Sequence, residues 1–279
     1  MEGLYRIAEK NIRIISLCDT VHVLCRRYAL KEDAGGASAE PDLVVRTTEE
    51  DIAFEIEKSE REREFERKYG PADPDSDAEN GIKREEAYRN ADPGTRERLE
   101  NIRRGNHESL AVYRKIVEKM PFWDTLLLHG SAVAVDGQAY LFTARSGTGK
   151  STHTRLWREL LGDRAVMIND DKPLIRVSDS AAEIFGTPWD GKHHLSTNIC
   201  VPLKAVCILE RAEENSIREI SAQEALPILM QQTYRPMDAA AMRQTLVLIS
   251  RLMTAVRFFR LSCNMDVSAA ELSYSVMSR

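Results

Sequence analysis

The chain has 279 residues and a formal net charge of -5, with 43% hydrophobic and 30% charged residues. That length allows one large domain or two smaller ones around a buried core. The acidic balance speaks against a protein built to hold nucleic acid. No apolar run approaches the ~20 residues of a membrane span, and Met1-Glu2-Gly3-Leu4-Tyr5-Arg6 lacks the apolar centre of a signal peptide. A cytoplasmic protein with no membrane or nucleic-acid partner is expected.

Residues 4–28 alternate in the manner of one or two strands, with Val21-His22-Val23-Leu24 the clearest. Cys18, His22 and Cys25 lie in this region, but their spacing matches no standard zinc ligand set. The five cysteines are odd in number and scattered, which excludes a disulfide framework. Cys200, Cys207 and Cys263 read as small core residues. Residues 31–41 read as a loop, and Leu43 to Arg46 as a strand. The mixed-charge run from Glu49 to Lys68 is either a solvated helix with i,i+4 pairs or an extended arm. Tyr69 to Pro93, with prolines, aspartates and glycines, reads as loop. Leu110 to Met120 has helical spacing and stops before Pro121. A shift in composition there divides an accessory region, residues 1–120, from a second domain, residues 121–279.

The second domain is rich in strands with interleaved helices. Thr125 to Val135 and Gln138 to Thr143 read as a hairpin turned at Asp136-Gly137. Arg164 to Ile168 reads as a strand ending at Asn169-Asp170-Asp171. Pro173 to Val177 pairs with Glu183 to Thr187, and Val201 to Glu210 is a further strand. Residues 221–257 are mainly helical, 257–262 form a last strand, and 267–278 a last helix. Antiparallel pairs beside one another in this order predict a mixed sheet in an α/β (α+β) fold.

Chemistry concentrates between Ala139 and Leu161. The apolar strand Ala139 to Thr143 runs into Ala144-Arg145-Ser146-Gly147-Thr148-Gly149-Lys150-Ser151-Thr152, and a helix follows as far as Gly162. Strand, glycine-containing loop and Lys-Ser at a helix start form the context of a phosphate-binding loop. Ser146, Gly147, Thr148, Gly149, Lys150, Ser151 and Thr152 are the candidate nucleotide-binding residues. Backbone amides and the helix N-terminus would receive phosphate, Lys150 would reach its outer oxygens, and Ser151 would ligate Mg²⁺. The Gly-x-x-x-x-Gly-Lys-Ser spacing is broken at its first position, which is Ala144.

Three further elements bear on such a loop. Asp170 and Asp171 stand at a strand end about 20 residues beyond Lys150, where an enzyme with this loop holds its metal. His129 lies within Leu126-Leu127-Leu128-His129-Gly130-Ser131-Ala132; alone, such a histidine is ordinarily a satisfied core or edge residue. Gly186 to His194 is a polar loop that offers Lys192 to a transferring phosphoryl group, while His193 and His194 read as surface residues.

Taken together, these residues resemble the superfamily of HPr kinase/phosphorylase and ATP-dependent phosphoenolpyruvate carboxykinase, and within it the small kinases that phosphorylate a serine of a peptide. The resemblance rests on His129-Gly130-Ser131-Ala132, Ser146 to Ser151, and Asp170-Asp171, and covers roughly residues 125–265. It implies a sheet-based P-loop kinase domain with ATP and Mg²⁺ as cofactors. Lys150 would contact the β- and γ-phosphates, and Ser151 with Asp171 would hold Mg²⁺. Asp170 would take the proton of the attacking hydroxyl, with His129 near metal and phosphates. The acceptor would be a peptide, a protein or a small molecule bearing a hydroxyl, and the resemblance allows a homo-oligomer. The Glu-x-Arg-Gly signature of HPr kinases is missing, with Trp189-Asp190-Gly191-Lys192 in the comparable region, which argues against HPr itself as substrate. The chain is too short for a full carboxykinase. A nucleotide-responsive binding module without phosphotransfer is the competing class; it has no need of a base, which the two aspartates and His129 would supply.

Overall fold

The computed structural model describes residues 1–30, 40–69, 88, 90–191 and 193–279, which divide into two units, Met1–Ile116 and Val117–Arg279. The loops expected at 31–41 and 69–93 therefore fall almost wholly outside the described residues, as does Lys192. Among the described residues no helix is long and apolar enough to cross a membrane.

In the first unit, β1 (Glu2–Ile7) and β2 (Lys10–Ile15) form an antiparallel hairpin, and β3 (Leu43–Arg46) joins β2 in parallel. Val21 to Leu24 is not a strand: it lies in a short helix, α1 (Thr20–Cys25). The amides of His22 and Val23 both donate to the Asp19 carbonyl, at 2.9 and 3.0 Å, which starts the turn. Val21 and Cys25, four residues apart, then share the buried face, so packing overrides the β-propensity of the valines. The His22 ring hydrogen-bonds the Tyr5 hydroxyl (2.6 Å) and the Ser16 hydroxyl (2.8 Å), so its nitrogens serve the fold. Of the later cysteines, Cys207 is buried, whereas Cys200 is exposed at a strand start and is not a core residue.

The mixed-charge run is a helix, α2 (Glu49–Tyr69). The next helix, α3 (Pro93–Val117), begins far earlier than its apolar spacing predicted and stops short of Met120, which opens a 3₁₀ turn through Trp123. Pro93 suits a first helical position, and the Asp92 carboxylate caps the turn by accepting the Thr95 amide at 3.0 Å. Charge pairs supply what apolar periodicity lacks: Arg114 Nε donates to Glu55 (2.6 Å) and Lys115 to Asp51 (2.6 Å). Glu108 is the internal peg of this unit. Fully buried, it accepts the Leu17 amide (2.6 Å), the Cys18 amide (2.7 Å) and the Thr47 hydroxyl (2.5 Å).

The second unit is built on a mixed sheet, nine-stranded among the described residues. Its strands are β4 (Thr125–Leu127), β5 (Ser131–Val135), β6 (Gln138–Thr143), β7 (Ala165–Asn169), β8 (Leu174–Val177), β9 (Ala182–Phe185), β10 (Cys200–Arg211), β11 (Ser216–Ile220) and β12 (Arg257–Cys263). The path runs β4-β8-β9-β10-β6-β5-β7, with β12 beside β10 and β11 beside β12. The hairpin of β5 and β6 turns at Asp136 (φ 51°) and Gly137 (φ 78°), the two left-handed positions of a primed turn. Residues 125–135 are two strands instead of one, because the amides of His129 and Gly130 bond outside any ladder, to Gln232 O (2.8 Å) and Asp171 O (3.1 Å).

Helices cover both faces of this sheet. α4 (Lys150–Leu161) and α7 (Val267–Met277) pack on Tyr140, Phe142, Cys207 and Phe259; α5 (Ala222–Gln232) and α6 (Ala239–Ala255) pack on Leu141, Val206 and Ile208. The alternation within β6, Tyr140 and Phe142 one way and Ala139 and Leu141 the other, makes it a strand buried on both sides. β10 serves two neighbourhoods. Its first residues pair antiparallel with β9; from Leu203 onward it pairs in parallel with β6, and from Ala205 with β12 also. A register shift between Leu203 and Ala205 changes its phase, so Val201 and Leu203 share a face with Val206 and Ile208.

The Glu108 peg is testable. Burial would raise its pKa, but the hydrogen bonds of Thr47, Leu17 and Cys18 outweigh burial and hold it below the ordinary carboxylate value. Its contribution is therefore complete above pH ~4.3 and is lost as pH falls through the lower folded-state pKa. Glu108→Gln should destabilise the protein by about 2 kcal/mol at pH 7, read from denaturant midpoints. The gap to wild type should narrow on moving towards pH 3, and a gap unaffected by pH would refute the assignment.

Candidate functional site

Strand direction gathers the candidate residues. β6, β10 and β12 are parallel, β5 is antiparallel to β6, and β7 is antiparallel to β5. The C-terminal ends of β6 and β7 and the start of β5 consequently meet at one edge of the sheet. Ser131 stands opposite Phe142, and Ala132 opposite Asn169. The Ala144–Gly149 loop, the His129-Gly130-Ser131 turn and the Asp170-Asp171 pair all start from that edge.

The loop leaves β6 at Thr143 and enters α4 through Gly149, whose φ of 110° is a conformation that a side chain would strain. Ala144, where the motif spacing calls for glycine, has no left-handed φ and is buried with Phe142, Leu156 and Trp157. Its methyl group points into the core, so the departure leaves the loop's inner side open. Lys150 is largely buried, with Nζ 3.4 Å from the Ala144 carbonyl and 3.5 Å from that of Arg145. Arg211, at the end of β10, hydrogen-bonds the Gly147 carbonyl.

Asp170 follows β7 and is half-buried between two hydroxyls. Ser131 Oγ donates to Oδ1 at 2.6 Å, and the Ser151 hydroxyl stands near enough to lower the pKa of the same carboxylate. Ser131 in turn lies 2.7 Å from Thr154 Oγ1 of α4. Burial pushes the Asp170 pKa up, and the two hydroxyls and the nearby His193 only partly offset it. Asp171 has the opposite electrostatics. Burial would raise it too, but the His129 ring (Nε2 to Oδ1, 2.9 Å) and the Lys172 ammonium bring it down to about 2.

The divergence of the two carboxylates has a local cause. The fully buried Asn169 accepts the amides of Asp171 (2.9 Å) and Lys172 (2.7 Å) on its Oδ1 and donates through Nδ2 to the Thr187 hydroxyl (3.0 Å). This fixes a tight turn with Asp170 towards α4 and Asp171 towards His129. Family resemblance pairs Ser151 with Asp171, whereas here the hydroxyl of Ser151 meets Asp170. Gly130 is held equally closely, since a Cβ there would come 2.8 Å from the Phe142 carbonyl. Among the candidates, then, Lys150, Ser151, Asp170, Asp171 and His129 stand on adjoining elements at one edge.

In the Gly186–His194 loop, Asp190 is buried, accepts the Ser196 amide (2.9 Å) and pairs with His194 (2.9 Å). A Cβ at Gly191 would lie 3.5 Å from the Asp170 carbonyl, so this loop passes beside the aspartates. Several contributors are missing from the sequence expectations: Asn169, Lys172, Thr154, Arg211 and Gln232. Lys172 was open to detection as the residue after Asp-Asp. Gln232 was not, since it lies 103 residues from the histidine it touches.

Hydroxyl and carboxylate oxygens are hard donors of the kind Mg²⁺ takes alongside nucleotide phosphates, and Ser151 beside Asp170 supplies both. The donor set therefore fits that ion.

No curated protein matches the chain. Among solved structures, the HPr(Ser) kinase/phosphatase from Coxiella burnetii aligns with 45% of this chain and 96% of its own, at 14% identity and a TM-score of 0.25. Residues 106–267 match the family described as SynChlorMet cassette protein ScmC. That match takes in more than half of the sequence, and the chain belongs to the ScmC family.

Proposed function

We propose that this chain is an ATP-dependent kinase that transfers the γ-phosphoryl group to a hydroxyl, that of a serine in a peptide or protein. The observation that carries the proposal is the link from Asp170 through Ser131 (2.6 Å) to Thr154 (2.7 Å), on the helix entered from the glycine loop, with Ser151 of the same helix acting on that carboxylate. Triphosphate held by that loop would end beside Asp170, Asp171 and His129. The motif resemblance supports the same reading.

Lys150 and the loop amides bind and orient the phosphates. Mg²⁺, when bound, neutralises charge on the phosphoryl oxygens, with Ser151 and an aspartate as its protein ligands. Asp170, whose proton affinity is raised by burial, accepts the acceptor hydroxyl's proton. The acceptor oxygen then bonds to the γ-phosphorus, the bond to the bridging oxygen breaks, and ADP leaves. Asp171, ionised far below neutral pH, is the matching metal ligand. The Ser151–Asp170 contact favours a second arrangement, in which Asp170 holds the metal with Ser151 and Asp171 faces the acceptor. Lys192, which the polar loop from Gly186 to His194 offers, is a candidate for stabilising the charge of the transferring group.

Labelled ATP offered with a set of serine peptides and small hydroxyl compounds should label an acceptor. Asp170→Asn should lower kcat by about 10²–10⁴ while nucleotide affinity stays within about twofold; retained transfer would remove Asp170 from the base role. A sharp rise in the Mg²⁺ concentration needed by Asp170→Asn, but not by Asp171→Asn, would select the second arrangement. Lys150→Ala should weaken ATP binding about 10- to 100-fold, the loss of a charged phosphate contact, as read by calorimetry. Undiminished binding would place the triphosphate elsewhere.

A further inference from the structure

His129 is gripped from two directions, and one of the grips comes from a residue remote in sequence. Gln232, the last residue of α5, accepts the His129 backbone amide on its carbonyl at 2.8 Å. Its side-chain Oε1 sits 2.9 Å from ring Nδ1. On the opposite side of the ring, Nε2 lies 2.9 Å from Asp171 Oδ1. The seam continues past the helix, since the Tyr234 amide donates to the Leu127 carbonyl at 3.0 Å and Thr233 forms a bridge with Leu128. The end of α5 is thus laced to the segment that presents the histidine.

An imidazole bonded through one nitrogen can rotate about χ2 and present either edge. Partners on both nitrogens remove that freedom, and the nitrogen carrying the proton is decided by what each partner accepts. A carboxylate oxygen beside Nε2 and an amide beside Nδ1 hold the ring at both edges. The Gln232 amide can offer either its oxygen or its NH₂ to Nδ1, the two ends of such a group being assigned by their partners. Glutamine suits this place because either end of its amide satisfies the ring. Leucine satisfies neither state, and glutamate only a protonated Nδ1.

We infer that Gln232 is the positioning residue for His129, setting the ring's orientation so that Nε2 faces Asp171. The inference rests on the kinase reading for its consequence in catalysis, but its structural content stands apart from it.

The experiment uses the full chain with ¹⁵N-labelled histidine and the variants Gln232→Leu and Gln232→Glu. Long-range ¹H–¹⁵N spectra should show the His129 ring in one state in the wild type. In Gln232→Leu the Nδ1 resonance should shift on losing its partner, with the melting temperature and ATP affinity near wild type. Gln232→Glu should shift the pattern towards a protonated Nδ1. If transfer is found, Gln232→Leu should lower kcat by about 10-fold or more, as outer-shell partners of an oriented histidine do, with KM for ATP little changed. Unaltered His129 resonances in both variants would overturn the inference. Altered resonances in a protein that transfers no phosphate would uphold the positioning role and overturn the kinase reading instead.

Discussion

A half-buried carboxylate, bonded by one serine hydroxyl and neighboured by another, ties the candidate site together. Asp170 comes from the end of β7, Ser131 from the start of β5 and Ser151 from the first turn of α4. The Ser131 bond to this charged acceptor contributes about 1.5–3 kcal/mol, and a carboxylate left short of donors in that position would be costly. The three elements therefore keep their spacing, which puts the glycine loop and the acidic turn on the same edge of the sheet.

Much of this arrangement was legible before any coordinates. Alternation and turn chemistry located β6, β7, the Asp136-Gly137 turn and the helices that close the chain, because each is a local pattern. The loop from Ala144 to Ser151 was legible for the same reason. What local pattern did not carry was decided by partners distant in sequence. Val21 to Leu24 has the composition of a strand, yet Asp19 and the buried pair Val21 and Cys25 make it a helix. Residues 93–109 show little apolar period, yet capping by Asp92 and the pairing of Arg104 with Glu49 of α2 support them as helix.

The candidate site divides in the same way. Its motif residues were evident, while the side chains that aim them were not. Asn169 sets the divergence of Asp170 and Asp171, and nothing in the alternation of β7 marks that last position as different from its neighbours. The opposite pKa directions of two adjacent aspartates follow from that turn, one carboxylate meeting hydroxyls and the other meeting a histidine and a lysine. Adjacent identical residues thus acquire different chemistry from backbone geometry alone.

The phase change within β10 bears on how the second unit folds. One strand supplies apolar side chains to both helical layers, and its two halves belong to ladders of opposite sense. Sliding it by a single residue would invert every side chain it contributes, exposing both layers at once. The shift between Leu203 and Ala205 therefore ties the alignment of one ladder to that of the other, so a single register of this strand satisfies both.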